Sequence, residues 1–269
     1  VGAVLTDEGG VLIDTPPYPE DAHRWREQLA QKSPKPVLFV INTDHHRDRI
    51  LGNCWFDGAH VAAQQHTSRA VRALPTLFLE NAIEALAANE EERLSFDGLK
   101  LAPPGVSFSD RLYIKRGGRV ITLISMPSAT PGSAWVHFPE HRLVFVGDSV
   151  VVGTHPYMAQ AASKAWLESL TVLRRARFAA DVIVPGRGPI TDKSATVRVS
   201  DYVRLARRRV YSLYRAGRSR ADTSSLIGEF MPLFPVDGPY EEIQRRIKSG
   251  LDQIYEEYKA ADAARSQEQ

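Results

Sequence analysis

The sequence predicts an α/β protein with a helical extension at its C-terminal end, on three observations. Over residues 1 to about 200, short runs rich in Val, Ile and Leu alternate with amphipathic helical stretches. The two halves of that region echo each other. Val11-Leu12-Ile13-Asp14, then helix, strand and Asn42-Thr43-Asp44, parallels Phe145-Val146-Gly147-Asp148, then helix, strand and Pro185-Gly186-Arg187. From about Ala195 onward the pattern is mostly helical. We therefore expect one αβ body over residues 1–200 and a helical extension over residues 201–269 packed on the same domain. Sheet-rich α/β domains of about 200 to 250 residues routinely form around one core.

In chain order, Val1–Thr6 and Val11–Asp14 are β-type runs split by Gly9-Gly10, which suggests a hairpin running into the Pro16-Pro17 break. A helix is expected from Pro19 to Gln31, with proline in its first turn and Glu20 and Asp21 near its positive end. Val37–Asn42, VLFVIN, is an apolar run of buried-strand type. Residues 66–93 are expected to be helical. Strands follow at Arg111–Lys115, Arg119–Ile124, Ala134–Phe138 and Leu143–Val146, with Gly117-Gly118 supplying one hairpin turn. A helix over Lys164–Phe178 leads into the strand Asp181–Val184. In the extension, Val203, Ala206, Val210 and Leu213 form a buried stripe that leaves Arg204, Arg207, Arg208 and Arg215 outside it. Ile243, Ile247, Leu251, Ile254 and Tyr258 form a second stripe, suited to docking on the body or to a homodimer, and residues past Ala260 are expected to fray.

Composition narrows the function classes. Hydrophobic content of 43% and charged content of 25% are those of an ordinary soluble globular protein, and no apolar run approaches the roughly 18 residues that span a membrane. Lys+Arg of 34 against Asp+Glu of 32 gives a net charge of only +2, so bulk charge argues against a nucleic-acid partner; only the arginine run from Arg204 to Arg220 points the other way. The lone Cys54, next to Trp55 and Phe56, is expected to be a small core residue. The chain opens on Val1, which suits a trimmed protein, either cytoplasmic or exported after signal removal.

The chemistry concentrates in Asn42-Thr43-Asp44-His45-His46-Arg47-Asp48-Arg49, at the C-terminal end of a buried strand, where open α/β sheets place their sites. The alternation of Asp44, His46 and Asp48 suits one flank of a metal cage. Arg49, a permanent cation with no lone pair, does not.

Five pieces in order resemble the metallo-β-lactamase superfamily: Gly10-Val11-Leu12-Ile13-Asp14-Thr15, the 42–49 motif followed by Leu51-Gly52-Asn53, Thr130-Pro131-Gly132-Ser133, Val146-Gly147-Asp148-Ser149, and Val184-Pro185-Gly186-Arg187-Gly188-Pro189. The resemblance implies a four-layer αβ/βα sandwich and a centre that binds two metals through an H-x-H-x-D-H loop, a His before the T-P-G-S turn, the Asp of G-D and the His of P-G-H-G. On that pattern His46, Asp48 and Asp148 match. The positions of the other four ligands hold Asp44, Arg49, Ala129 and Arg187.

The resemblance thus implies that the two-zinc centre is dismantled. A guanidinium repels a divalent ion, so two zinc ions are not expected. Asp44, His46 and Asp148 can still form a single metal site, and their oxygen-rich set tilts preference from zinc towards manganese, iron or magnesium. The cofactor expectation is therefore none, or one divalent zinc, manganese or iron ion. Charge counting supports the metal-free form, because Arg49 and Arg187 offset two of the three carboxylates Asp44, Asp48 and Asp148 and a protonated His46 offsets the third. Two readings stay open: a binding protein in which Arg49, Arg187 and His155 contact an anionic small molecule, and a one-metal hydrolase of an ester, thioester or amide with His46 and Asp48 as catalytic groups. Nucleic-acid processing is a third and weaker reading. Asp14 is expected to hold loop backbone beneath the site.

Overall fold

The computed structural model describes residues 1–236 and 238–267, which fall into two compact units, residues 1–125 with 134–138 and residues 126–133 with 139–267.

In the first unit, β1 (Gly2–Thr6) pairs antiparallel with β2 (Gly9–Ile13), and β3 (Val37–Asn42), β4 (His60–Gln64) and β5 (Val106–Phe108) follow in parallel register, giving the order β1-β2-β3-β4-β5. Parallel strands must be buried on both faces, which is why β2 reads as an unbroken apolar run after its glycines. Gly9 and Gly10 lie inside β2 and not at the hairpin turn, which is made by Asp7 and Glu8. The Thr6 hydroxyl closes that turn by donating to the Gly9 carbonyl at 2.8 Å. Helix α1 (Pro19–Lys32) seats Leu29 against Leu12, Val40, Phe56 and Val61, the apolar cluster beneath the sheet. A second set, β6 (Arg111–Arg116), β7 (Arg119–Ser125) and β8 (Ala134–Phe138), is antiparallel, with Gly117-Gly118 at the β6–β7 turn as expected.

Two further readings of this unit need correction. β4 is not among the expected strands, because HVAAQ has no clean alternation and only Val61 as a β-branched residue. The single helix expected over residues 66–93 is three: α3 (Gln65–Arg72), α4 (Phe78–Leu86) and α5 (Glu90–Ser95). Pro75 disfavours helical backbone at Leu74 and ends the first. The Asn89 side chain starts the third by accepting from the Glu92 N–H at 2.9 Å. The short α2 (Arg47–Ile50) lies between β3 and β4.

In the second unit, β9 (Leu143–Phe145) runs parallel to β10 (Val182–Val184), joined by α6 (Ser163–Arg174). Then come α7 (Ala195–Arg215), which crosses position 200, the short α8 (Ile227–Phe230) and α9 (Tyr240–Gln267). The two stripes read from the sequence meet here. Val203, Ala206 and Val210 of α7 and Ile243, Ile247, Leu251 and Ile254 of α9 are all buried, so the second stripe is spent on packing inside the unit. α9 also continues past Ala260 to Gln267, where fraying was expected; the last two residues of the expected tail lie outside the described residues.

Helix α6 lacks a capping side chain of its own at Ala162. Glu257 of α9 supplies the acceptor. Its carboxylate takes the Ser163 N–H at 2.6 Å and the Ser163 hydroxyl, and Arg207 donates to the same carboxylate at 2.9 Å.

Candidate functional site

The C-terminal ends of β2 and β3 lie side by side, so Asp14 and the loop from Thr43 to Arg49 begin at one sheet edge. Asp14 has left-handed backbone (φ 56°), which aspartate tolerates better than most side chains. Its Oδ1 accepts from the Thr43 N–H and its Oδ2 from the Thr43 hydroxyl, both at 2.7 Å. That is the loop-holding role expected of it.

Beneath the loop lies a buried polar clasp that sequence reasoning missed. The Arg49 carbonyl accepts from the Asn42 amide at 2.8 Å and from the Thr15 hydroxyl at 3.1 Å. The Asn53 amide donates to Asn42 Oδ1 at 2.9 Å, and Asn53 Oδ1 accepts from Thr15 Oγ1 at 3.0 Å. Gly52 permits this closeness, because a Cβ there would sit 2.1 Å from the Pro16 carbonyl oxygen. The only trace in the sequence was Leu51-Gly52-Asn53 as a motif.

Asp44 is fully buried. Its Oδ1 accepts from the His46 N–H at 2.9 Å and lies 3.1 Å from His46 Nδ1. Burial pushes the Asp44 carboxyl upward, but the His46 ring, its hydrogen bonds and the Arg49 guanidinium outweigh that and hold it well below the usual range. Arg49 is itself buried, with Nη1 3.8 Å from Asp14 Oδ2. For Asp14 the balance goes the other way. Burial is the largest influence, Arg49 opposes it, and repulsion from Asp44 adds to it, so the carboxyl is raised to about 6. His45 packs beside His46 with ring centroids 5.6 Å apart, and Asp48 is half-buried in the first turn of α2.

In the second unit Asp148 sits in a single 3-10 turn, Gly147–Ser149, after β9, and is buried. Arg187 follows β10, held by a bridge to Val151 and by donation from the Val152 N–H to its carbonyl at 3.0 Å. Its Nη2 lies 3.5 Å from Asp148 Oδ2. Gly186 makes the approach feasible, since a Cβ there would lie 2.1 Å from Asp148 Oδ1. Two further contacts fix the turn: Trp166 Nε1 of α6 donates to the Ser149 carbonyl at 2.9 Å, and the Ser149 and Ser128 hydroxyls are 2.6 Å apart. Ala129, which precedes the Thr130-Pro131-Gly132-Ser133 turn, is fully buried.

His155, expected as a ligand contact, is only 1% exposed. Its Nδ1 is 3.3 Å from the Tyr202 hydroxyl, and its ring packs edge-on to Tyr202 and Phe234. The arginine run is largely paired: Arg204 with Asp201, Arg207 with Glu257, Arg209 with Glu229, Arg218 with Asp222 and Arg220 with Glu256. No helix among the described residues is long and apolar enough to cross a membrane.

Comparison with known proteins agrees with this architecture. Among solved structures, a metallo-β-lactamase from Pontibacter korlensis is similar at 22% identity, covering 75% of this chain and 85% of its own, with a TM-score of 0.59. A metallo-β-lactamase family protein from Thermus thermophilus is 17% identical over 97% of this chain and 88% of its own, with a TM-score of 0.67. A double mutant of a sec-alkyl sulfatase is 15% identical over 95% of this chain and 46% of its own, also at 0.67. The last two extend the likeness in fold through the C-terminal helices. Residues 1–187 match the family model of the metallo-β-lactamase superfamily, and with the α/β fold it implies, the chain belongs to that superfamily.

Proposed function

We propose that this is a superfamily member whose two-metal hydrolytic centre has been dismantled and whose arginines, Arg49 and Arg187, serve to bind an anionic small molecule. One observation carries the reading: Arg49 and Arg187, which the motif order sets at two of the superfamily's ligand positions, each lie within 4 Å of a buried carboxylate, Asp14 for Arg49 and Asp148 for Arg187. A carboxylate facing a guanidinium has its lone pairs directed at N–H donors, and a cation beside it disfavours a dication there. A pair of zinc ions does not fit this donor set. A guanidinium is a planar fork of N–H donors, which matches a carboxylate, phosphate or sulfate group on a ligand.

Metal analysis of protein purified without added metal or chelator tests the reading, with essentially no bound metal expected. Thermal shift in inorganic phosphate or sulfate should raise the melting temperature, and Arg187→Ala should abolish the rise. Two equivalents of zinc would overturn the proposal.

A second reading rests on Asp44 Oδ2, which is buried without a hydrogen bond among the described residues. Under it, Asp44, His46 and Asp148 would hold one divalent ion, which when bound supplies an activated water. In this chain Asp44 would anchor His46 through Oδ1, and Asp48 would take up the proton. Near-equimolar manganese, iron or zinc in the same analysis would favour it.

A further inference from the structure

Two exposed surfaces take no part in the site and complement each other in charge. Along α7, Val197, Asp201, Arg204, Arg208, Tyr211 and Arg215 follow a three-and-four spacing, so they share one face of a helix over about 27 Å. All six are exposed; Val197 and Tyr211 keep 49% and 47% of their surface in solvent. Arg208 and Arg215 make no ion pair among the described residues, and Arg204 has only its exposed partner Asp201 on the same face. The stripe is therefore basic and partly apolar.

The opposite character lies on α4 and α5. Among the described residues α4 buries Ala82 alone and α5 buries none, so both helices expose what a packed helix hides. Leu77 is 59% exposed and Leu94 67%. Glu80, Glu84, Glu90 and Glu91 lie between them in sequence, exposed and without ion pairs among the described residues, and Arg93 is the one cation in these two helices. Apolar side chains left in water next to unneutralised charge mark a surface that gains by being covered.

We propose that the α4–α5 face of one copy docks on the α7 stripe of a second copy. Leu77 and Leu94 would cover apolar surface around Val197 and Tyr211, while the glutamates face Arg204, Arg208 and Arg215. A second copy is favoured over nucleic acid because the stripe interleaves arginine with apolar side chains and an aspartate, while the chain itself carries the acidic, apolar counterpart. Like charges set against each other would reject a symmetric pairing of either face with itself. The contact is therefore between unlike faces, which closes into a ring or extends.

Sedimentation velocity over a concentration series tests this in low salt and at about 1 M salt, where exposed charges are screened beyond roughly 3 Å. Self-association is expected in low salt and is reduced in high salt. Arg208→Glu with Arg215→Glu should weaken it at least about tenfold, as should Glu84→Lys with Glu91→Lys. All four changes in one chain should restore it, and so should a mixture of the two reversed proteins, an arm that does not depend on the fourfold variant folding. Circular dichroism checks that each protein is folded. A monomer at every concentration overturns the proposal, as does self-association that neither reversal shifts, or a loss that neither recombination recovers. Salt-sensitive binding of duplex DNA by a strictly monomeric protein would reassign the stripe to nucleic acid and overturn it equally.

Discussion

Arg187 Nη2 lies 3.5 Å from Asp148 Oδ2, pairing a partly exposed guanidinium with a carboxylate that is 1% exposed. Removing a cation from beside a buried carboxylate is costly because the charge has already been withdrawn from water. The arginine is more than a third exposed, so solvent screening discounts the effect. Arg187→Ala should lower stability by about 1–2 kcal/mol, measured as a shift in the urea midpoint at constant slope. An unchanged midpoint would mean that the pair contributes nothing.

Asp14 sets a pH dependence. Its folded-state value of about 6 lies above the ordinary 3.8, so the folded protein holds this proton more tightly than the unfolded chain does. The contribution is complete below about 3.8 and is lost as pH rises through about 6, a difference of roughly 3 kcal/mol at about 1.4 kcal/mol per unit. Asp44 has the opposite sign, since its depressed value gives stability present above 3.8 and lost only in stronger acid. The two are thus separable. Asp14→Asn, which tolerates the same left-handed backbone, should flatten the stability curve between pH 4 and 6 and leave the acid limb in place.

Glu257 closes the first turn of α6 from α9, 94 residues along the chain. Glu257→Ala removes that acceptor and the partner of Arg207, and should cost about 1–3 kcal/mol in chemical denaturation. Glu257→Gln retains an acceptor oxygen and should recover part of the loss.

At Gly186 any side chain meets Asp148 at 2.1 Å. Gly186→Ala should therefore displace the Asp148 turn, lowering the melting temperature by several degrees and reducing anion binding together with it.

Much of this was legible in the sequence where it depended on local pattern. VLFVIN is β3, and α1 starts at Pro19. What escaped depended on partners distant in sequence. β4 has its strand conformation because β3 and β5 flank it, and neither leaves a mark within HVAAQ. The Thr15, Asn42 and Asn53 clasp joins residues up to 38 positions apart, and polar side chains of those types read as ordinary loop composition until the fold buries them. His155 lies in a loop near a motif in the sequence; Tyr202 of α7 and Phe234, after α8, supply the rings that pack on it.

The hydrogen bond from Trp166 to the Ser149 carbonyl gives the protein a built-in optical gauge. That indole is fully buried and tied to the backbone one residue beyond Asp148, so its emission should shift whenever the carboxylate turn moves. Occupancy by an anion or a cation becomes visible in the native chain without an added label, provided the signal is isolated by changing Trp25, Trp55 and Trp135 to phenylalanine.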